Sequence, residues 1–172
     1  MSDFRHVPDH QEVWADADSD QSVVIEVLER QDAVADADIA RYLFDDLAAA
    51  NEASESAAHG AAAEVPPARR GALPADAPVW SLRGTQRVAK HREDAAASNA
   101  IHVAMGVVRL APVASELCVT VSCPTDVSPL SSSAHAAAAA AEAGGSAAIA
   151  TADATLREVL ASMQIRDMGL FG

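Results

Sequence analysis

Large aromatic side chains are scarce in this 172-residue sequence, which has two Trp, one Tyr and three Phe. Alanine accounts for 41 of the 86 apolar residues, so sizeable apolar side chains number 45, enough to fill one modest core. The two cysteines, Cys118 and Cys123, cannot build a disulfide framework, and their C-x4-C spacing is neither a redox nor a zinc motif. No apolar run approaches the roughly 20 residues of a membrane-spanning helix. Basic residues number 12 against 25 acidic ones, a net charge of −13, which argues against charge-driven binding to nucleic acid or anionic lipid. The first 20 residues carry five Asp and one Glu, unlike the basic start of a signal or transit peptide. No G-x-S-x-G, P-loop or G-x-G-x-x-G motif occurs, and no nucleophile–base pair stands out. These absences lead to the expectation of a soluble intracellular protein of a reducing compartment that is not an enzyme and needs no cofactor or metal.

The charge is unevenly placed. Residues 1–47 hold thirteen acidic side chains against Arg5, Arg30 and Arg41. Such asymmetry either keeps a surface solvated or makes a field that steers a basic protein partner.

Large apolar residues cluster into a few elements. Ser22–Glu29 (SVVIEVLE) is β-branched and nearly continuous, as a buried strand requires. Asp36–Asn51 carries Ile39, Leu43 and Leu47 on one helical stripe, with Asp36 placed as an N-cap. Val79–Lys90 predicts a strand with a turn at Arg83-Gly84-Thr85. Ile101–Leu110 and Leu117–Cys123 predict two strands whose short link makes them antiparallel. In the second, Leu117, Val119 and Val121 face one way and Cys118, Thr120 and Ser122 the other, with Pro124 ending the strand. Thr155–Gln164 predicts an amphipathic helix, with Thr155 and Glu158 at capping-box spacing and Leu156, Val159, Leu160 and Met163 as its apolar stripe. Residues 165–172 return to large apolar side chains and are expected to pack. Residues 52–78 and 125–150 are rich in Ala, Ser, Pro and Gly and predict disordered loops. The whole is one domain, 1–172, interrupted by those loops, with helices over the faces of a mostly antiparallel sheet.

The segment Phe4–Trp14 (FRHVPDHQEVW) gathers Arg5, His6, Asp9, His10 and Glu12 around Val7-Pro8. Its imidazoles and carboxylates are metal-ligand types, but Pro8 between His6 and His10 opposes the continuous helix that would bring them together. The alternatives are an ordinary solvated turn and a polar recognition surface. In the latter, Pro8 stiffens the chain, an extended strand Gln11–Trp14 follows, and Asp9 and Glu12 accept hydrogen bonds from Lys or Arg of a partner. Cys118 reads as a core or half-buried thiol, and His91 and His102 as structural residues.

Taken together, the blocks resemble the Mog1 family of Ran-binding proteins, also called Ran guanine nucleotide release factors. SDFRHVPDHQEVW resembles the family's opening S-x-x-R-x-V-P-D-x-Q-E-V block, and DQSVVIEVLE the block that follows it. ARYLFDDLAAAN looks like its Y-x-F-x-D-L helix. GTQRVAK, VRLAPVASELCVTVSCP and the terminal LFG are similar to later blocks in the same order. The two low-complexity stretches have no counterpart there. Family members usually carry an earlier strand with a Gly-Gly-Ala motif. Here the chain starts at Met1-Ser2-Asp3, so the expectation is a truncated gene model or a sheet without its first family strand. His10 is a second departure, standing where Asn or Thr is common.

The resemblance implies a Mog1/PsbP-like α/β/α sandwich that binds the GTPase Ran, promotes release of its guanine nucleotide and supports nuclear import. It also implies a monomer working in nucleus and cytoplasm, inserted in no membrane. The family's acidic Ran-binding positions fall on Asp9 and Glu12, with Arg5, His10 and Gln11 as neighbours. A non-catalytic adaptor on the same fold is the alternative. A lumenal PsbP-like protein would need a transit sequence, which this amino-terminal stretch does not resemble.

Overall fold

The computed structural model describes residues 8–90, 93–134 and 145–171. Its sheet has seven strands: β1 (Gln11–Ala15), β2 (Ser22–Glu29), β3 (Glu55–Ala58), β4 (Ala63–Glu64), β5 (Val79–Val88), β6 (Asn99–Leu110) and β7 (Ser115–Asp126). All pairings are antiparallel, in the order β1-β2-β7-β6-β5-β3, with β4 also paired to β5. Helices α1 (Ile39–Ala50) and α2 (Gly145–Ser162) cover opposite faces, giving the α/β architecture expected.

The two longest strands, β6 and β7, form the centre. Ala111–Val113 makes a single tight turn and Ala114 takes a left-handed conformation at φ 46°, which reverses the chain between them. Both strands are buried over most of their length, so their apolar residues serve both faces. The period-2 alternation read in β7 holds. Leu117, Val119 and Val121 pack with Ala152, Leu156 and Leu160 of α2, and Cys118 packs with the α1 side, where Ile39, Leu43 and Phe44 meet Leu82, Val103, Met105 and Val107. Ile165, Met168 and Phe171 return against the α2-side core, as the apolar ending predicts.

One buried cation organises the entry to α1. Arg109 is 2% exposed. Its guanidinium donates to Glu116 Oε1 at 3.1 Å, to Asp36 Oδ1 at 2.6 Å, and to the carbonyls of Val34 and Gln31, both at 2.7 Å. Asp36 is therefore not the N-cap that its position suggests. It lies in a three-residue 3-10 turn, Asp36–Asp38, and its carboxylate is committed to Arg109.

Other expectations are corrected by packing. β5 runs unbroken through Gly84, because the missing side chain makes room for the Phe44 ring, which a Cβ there would strike. Pro124 does not end β7; it lies opposite Ile101, next to a register shift between Ala100 and Ile101. Thr155 is interior to α2, which starts ten residues earlier, and its Oγ1 donates to the Thr151 carbonyl at 3.0 Å.

Residues 52–78 hold three short elements rather than none: β3 and β4 pair with β5, and Pro67–Arg69 forms a 3-10 turn. Alanine and serine suffice there, since edge strands are held by main-chain hydrogen bonds and need few large side chains. Within 125–150, residues 125–126 belong to β7 and 145–150 to α2, while 135–144 lie outside the described residues. No described helix is long and apolar enough to cross a membrane.

Candidate functional site

The recognition segment becomes a turn and an edge hairpin. The Gln11 amide donates to the Pro8 carbonyl at 3.0 Å, so Asp9 and His10 sit at the corner of the turn, both exposed. The strand expected over Gln11–Trp14 is β1, and it pairs in register with β2, Gln11 facing Glu26 and Ala15 facing Ser22. The connection is built by Asp16, whose carboxylate accepts from the Asp18 amide at 3.1 Å and the Ser19 hydroxyl at 2.5 Å. These bonds to Ser19 and Asp18 hold the Asp16 carboxyl below its ordinary value. Asp20, at φ 55°, completes the reversal.

Alternation along β1 divides the candidate residues between the two faces of the sheet. Gln11, Val13 and Ala15 face the α1 side with Ser22, Val24 and Glu26; Glu12 and Trp14 face the α2 side with Val23 and Ile25. Gln11 Nε2 donates to Glu26 Oε1. Arg5 lies outside the described residues, so the structure gathers Asp9, His10, Gln11 and Glu12 at one corner without placing Arg5 there.

Sequence reading passed over Glu26, which interrupts the apolar run of SVVIEVLE, and Glu29, which ends it at an exposed position. The signal was available: one charge inside a β-branched run marks a strand whose face is open at that point. It is open because α1 packs on β3, β5 and β6, and of β2 only Leu28 reaches that side's core, leaving β1 and the Glu26 end of the pairing uncovered there. Val13 is 43% and Trp14 53% exposed.

The hairpin thus offers exposed carboxylates at Asp9 and Glu12, the latter sharing a face with the exposed Trp14, while Glu26 lies on the other face with Val13, bonded to Gln11. Carboxylates held on a paired backbone accept hydrogen bonds from Lys or Arg, and an exposed Trp supplies rigid apolar area, the composition of a protein-binding surface. Among the described residues no group of three His, Cys, Asp or Glu is arranged to hold a metal. Both cysteines are free and buried, and burial pushes both thiols upward, Cys118 to about 12. His102 is also buried, its Nε2 lying 3.0 Å from Asp153 Oδ1, with Arg83 Nε 2.8 Å from the other carboxylate oxygen.

Comparison with known proteins adds a second line of information. The family described as Ran-interacting Mog1 protein matches residues 1–124. The Danio rerio protein named Ran guanine nucleotide release factor is 36% identical over 173 residues, covering 100% of this chain and 89% of the relative. The Bos taurus protein of the same name is 35% identical over 126 residues, covering 72% of this chain and 65% of the relative. The crystal structure of the Saccharomyces cerevisiae Ran-binding protein Mog1p superposes with a TM-score of 0.66 at 16% identity, over 98% of this chain and 86% of that one, so the fold is shared.

Proposed function

The chain belongs to the Ran-interacting Mog1 protein family, and from that premise we propose that it binds Ran through the acidic β1–β2 hairpin and promotes release of Ran's guanine nucleotide. The observation that carries the reading is the hairpin itself, with Asp9 exposed at the turn and Glu12 on the edge strand β1, on the same face as the exposed Trp14. Release needs no covalent chemistry. A partner that binds nucleotide-free Ran more tightly than loaded Ran must weaken nucleotide binding by the same factor, because the two equilibria are linked. The protein is in this reading a regulator rather than an enzyme, a monomer that supports nuclear import and works in nucleus and cytoplasm.

The test is fluorescent-nucleotide release from loaded Ran. The wild-type chain accelerates release, and the Asp9→Lys/Glu12→Lys double variant loses most of that acceleration with an unchanged thermal unfolding midpoint, because charge reversal turns attraction into repulsion at exposed positions. Tight Ran binding with no change in release rate leaves the adaptor reading standing, and normal binding by the double variant removes the assignment of Asp9 and Glu12.

A further inference from the structure

A cavity of ≈ 850 Å³ opens beside this hairpin, at the C-terminal end of α1. Ser22, which faces Ala15 of β1, and its β7 neighbour Ser122 line it, so the uncovered face of the hairpin runs into the cavity. Val88, Ile101 and Pro124 give it apolar lining, interspersed with the polar Asn99, Ser122 and Ser133. Its rim is acidic: Asp20, Glu52 and Glu93.

Each charge in it has a defined state. Lys90 Nζ is 2.9 Å from Asp20 Oδ2, which occupies the one cation among the described lining residues. Glu93 is held in place by the Ser132 amide at 2.7 Å and the Ser131 hydroxyl at 3.1 Å. Glu52 is exposed just past the last turn of α1, where the helix dipole adds negative potential. Ser133 also lines the cavity; it is 1% exposed, and its Oγ has no hydrogen-bond partner. A buried polar atom without a partner is costly unless a bound group completes it.

We infer that this cavity receives a Lys or Arg side chain of the protein partner, together with its flanking backbone, as an extension of the hairpin surface. The volume lies within the range of about 300–1,000 Å³ typical of ligand sites, far more than one side chain needs. An aliphatic stem suits the lining from Val88, Ile101 and Pro124 while the charged head reaches the carboxylates Glu52 and Glu93, which is how long basic side chains divide themselves between apolar and polar surroundings. Ser133 Oγ supplies a further acceptor. The inference rests on the Ran-binding reading for the identity of the partner, and on the cavity alone for its chemistry.

Two measurements separate those dependencies. In the first, the full chain is titrated with Nα-acetyl-L-argininamide at low ionic strength and followed by amide NMR, with the neutral isostere Nα-acetyl-L-citrullinamide as control. Shifts confined to the surroundings of Asn51, Glu52 and Ser133, seen with the arginine probe alone and abolished by Glu52→Lys, are expected. No shift, an equal shift with citrulline, or shifts spread over every acidic surface overturns the inference. In the second, Ran affinity is measured calorimetrically for wild type, Glu12→Lys, Glu52→Lys and Ala50→Trp, the last plugging the cavity from the exposed end of α1. The cavity variants are expected to weaken binding at least tenfold with an unchanged fold. Wild-type affinity in both cavity variants, with Glu12→Lys impaired, overturns the inference and leaves the hairpin reading intact. Absence of Ran binding by the wild-type chain overturns the hairpin reading, and the probe titration then decides the cavity by itself.

Discussion

Arg109 shows how much of this fold hangs on single polar side chains. Its guanidinium joins β6 to Glu116 of β7 and to the segment 31–36 that leads into α1. Glu116 is fully buried, and its Oε1 also accepts from the Gln31 amide at 3.2 Å. Replacing Arg109 by Met leaves that carboxylate buried without its counter-charge, so Arg109→Met is expected to cost about 3–5 kcal/mol in chemical denaturation. The Glu116→Leu partner substitution in the same chain recovers part of the loss, which identifies the unpaired charge as the cause.

Cys118 supplies a second residue-level test. Desolvation, opposed only by its contact with Thr120, moves the thiol from 9.0 to about 12. The unfolded thiol ionises first as pH rises, so above pH 9 the unfolded state binds fewer protons and stability falls until the folded thiol also ionises. The denaturation free energy should therefore decline on the alkaline side, and Cys118→Ala should flatten that decline.

At the level of elements, shape decides what periodicity leaves open. Gly84 reads as a turn, yet it lies mid-strand because Phe44 of α1 fills the space over it, and the Ala57 carbonyl lies 2.7 Å from where a Cβ would stand. Gly84→Ala is expected to destabilise by about 1–3 kcal/mol, as overpacking does. In a double-mutant cycle with Phe44→Leu the combined loss should be smaller than the sum, since the two sites contact one another. The strands of large β-branched residues were legible: Ser22–Glu29 has the same limits in the structure, and the β6–β7 pair is longer only at its ends. The failures share a cause. β3 and β4 are held by backbone hydrogen bonds to β5, and the first turns of α2 are written in alanine, serine and threonine, so neither carries a hydrophobic pattern to detect. Asp36 failed as a cap because its partner, Arg109, is 73 residues away.

For the molecule as a whole, the candidate site was half legible. Pro8, Gln11 and Glu12 marked a turn followed by an extended strand, and both are present. Glu26 and the cavity at the end of α1 were not visible, because they depend on which strand lies beside β1 and on where α1 stops covering the sheet. Both are matters of tertiary order, absent from local spacing.

The reversal at Ala111–Ala114 reaches further than its four residues. It joins the two longest strands by a short link, so the most extensive strand pairing is also among the nearest in sequence. Closing a short loop costs little entropy, and chains assemble fastest where contacts are local. That locality predicts assembly from the β6–β7 pair outward, with β2 and then β1 added to it. Mutational φ-analysis should give high values along that central pair and values near zero in the acidic hairpin, leaving that edge free to vary in sequence without slowing the birth of the fold.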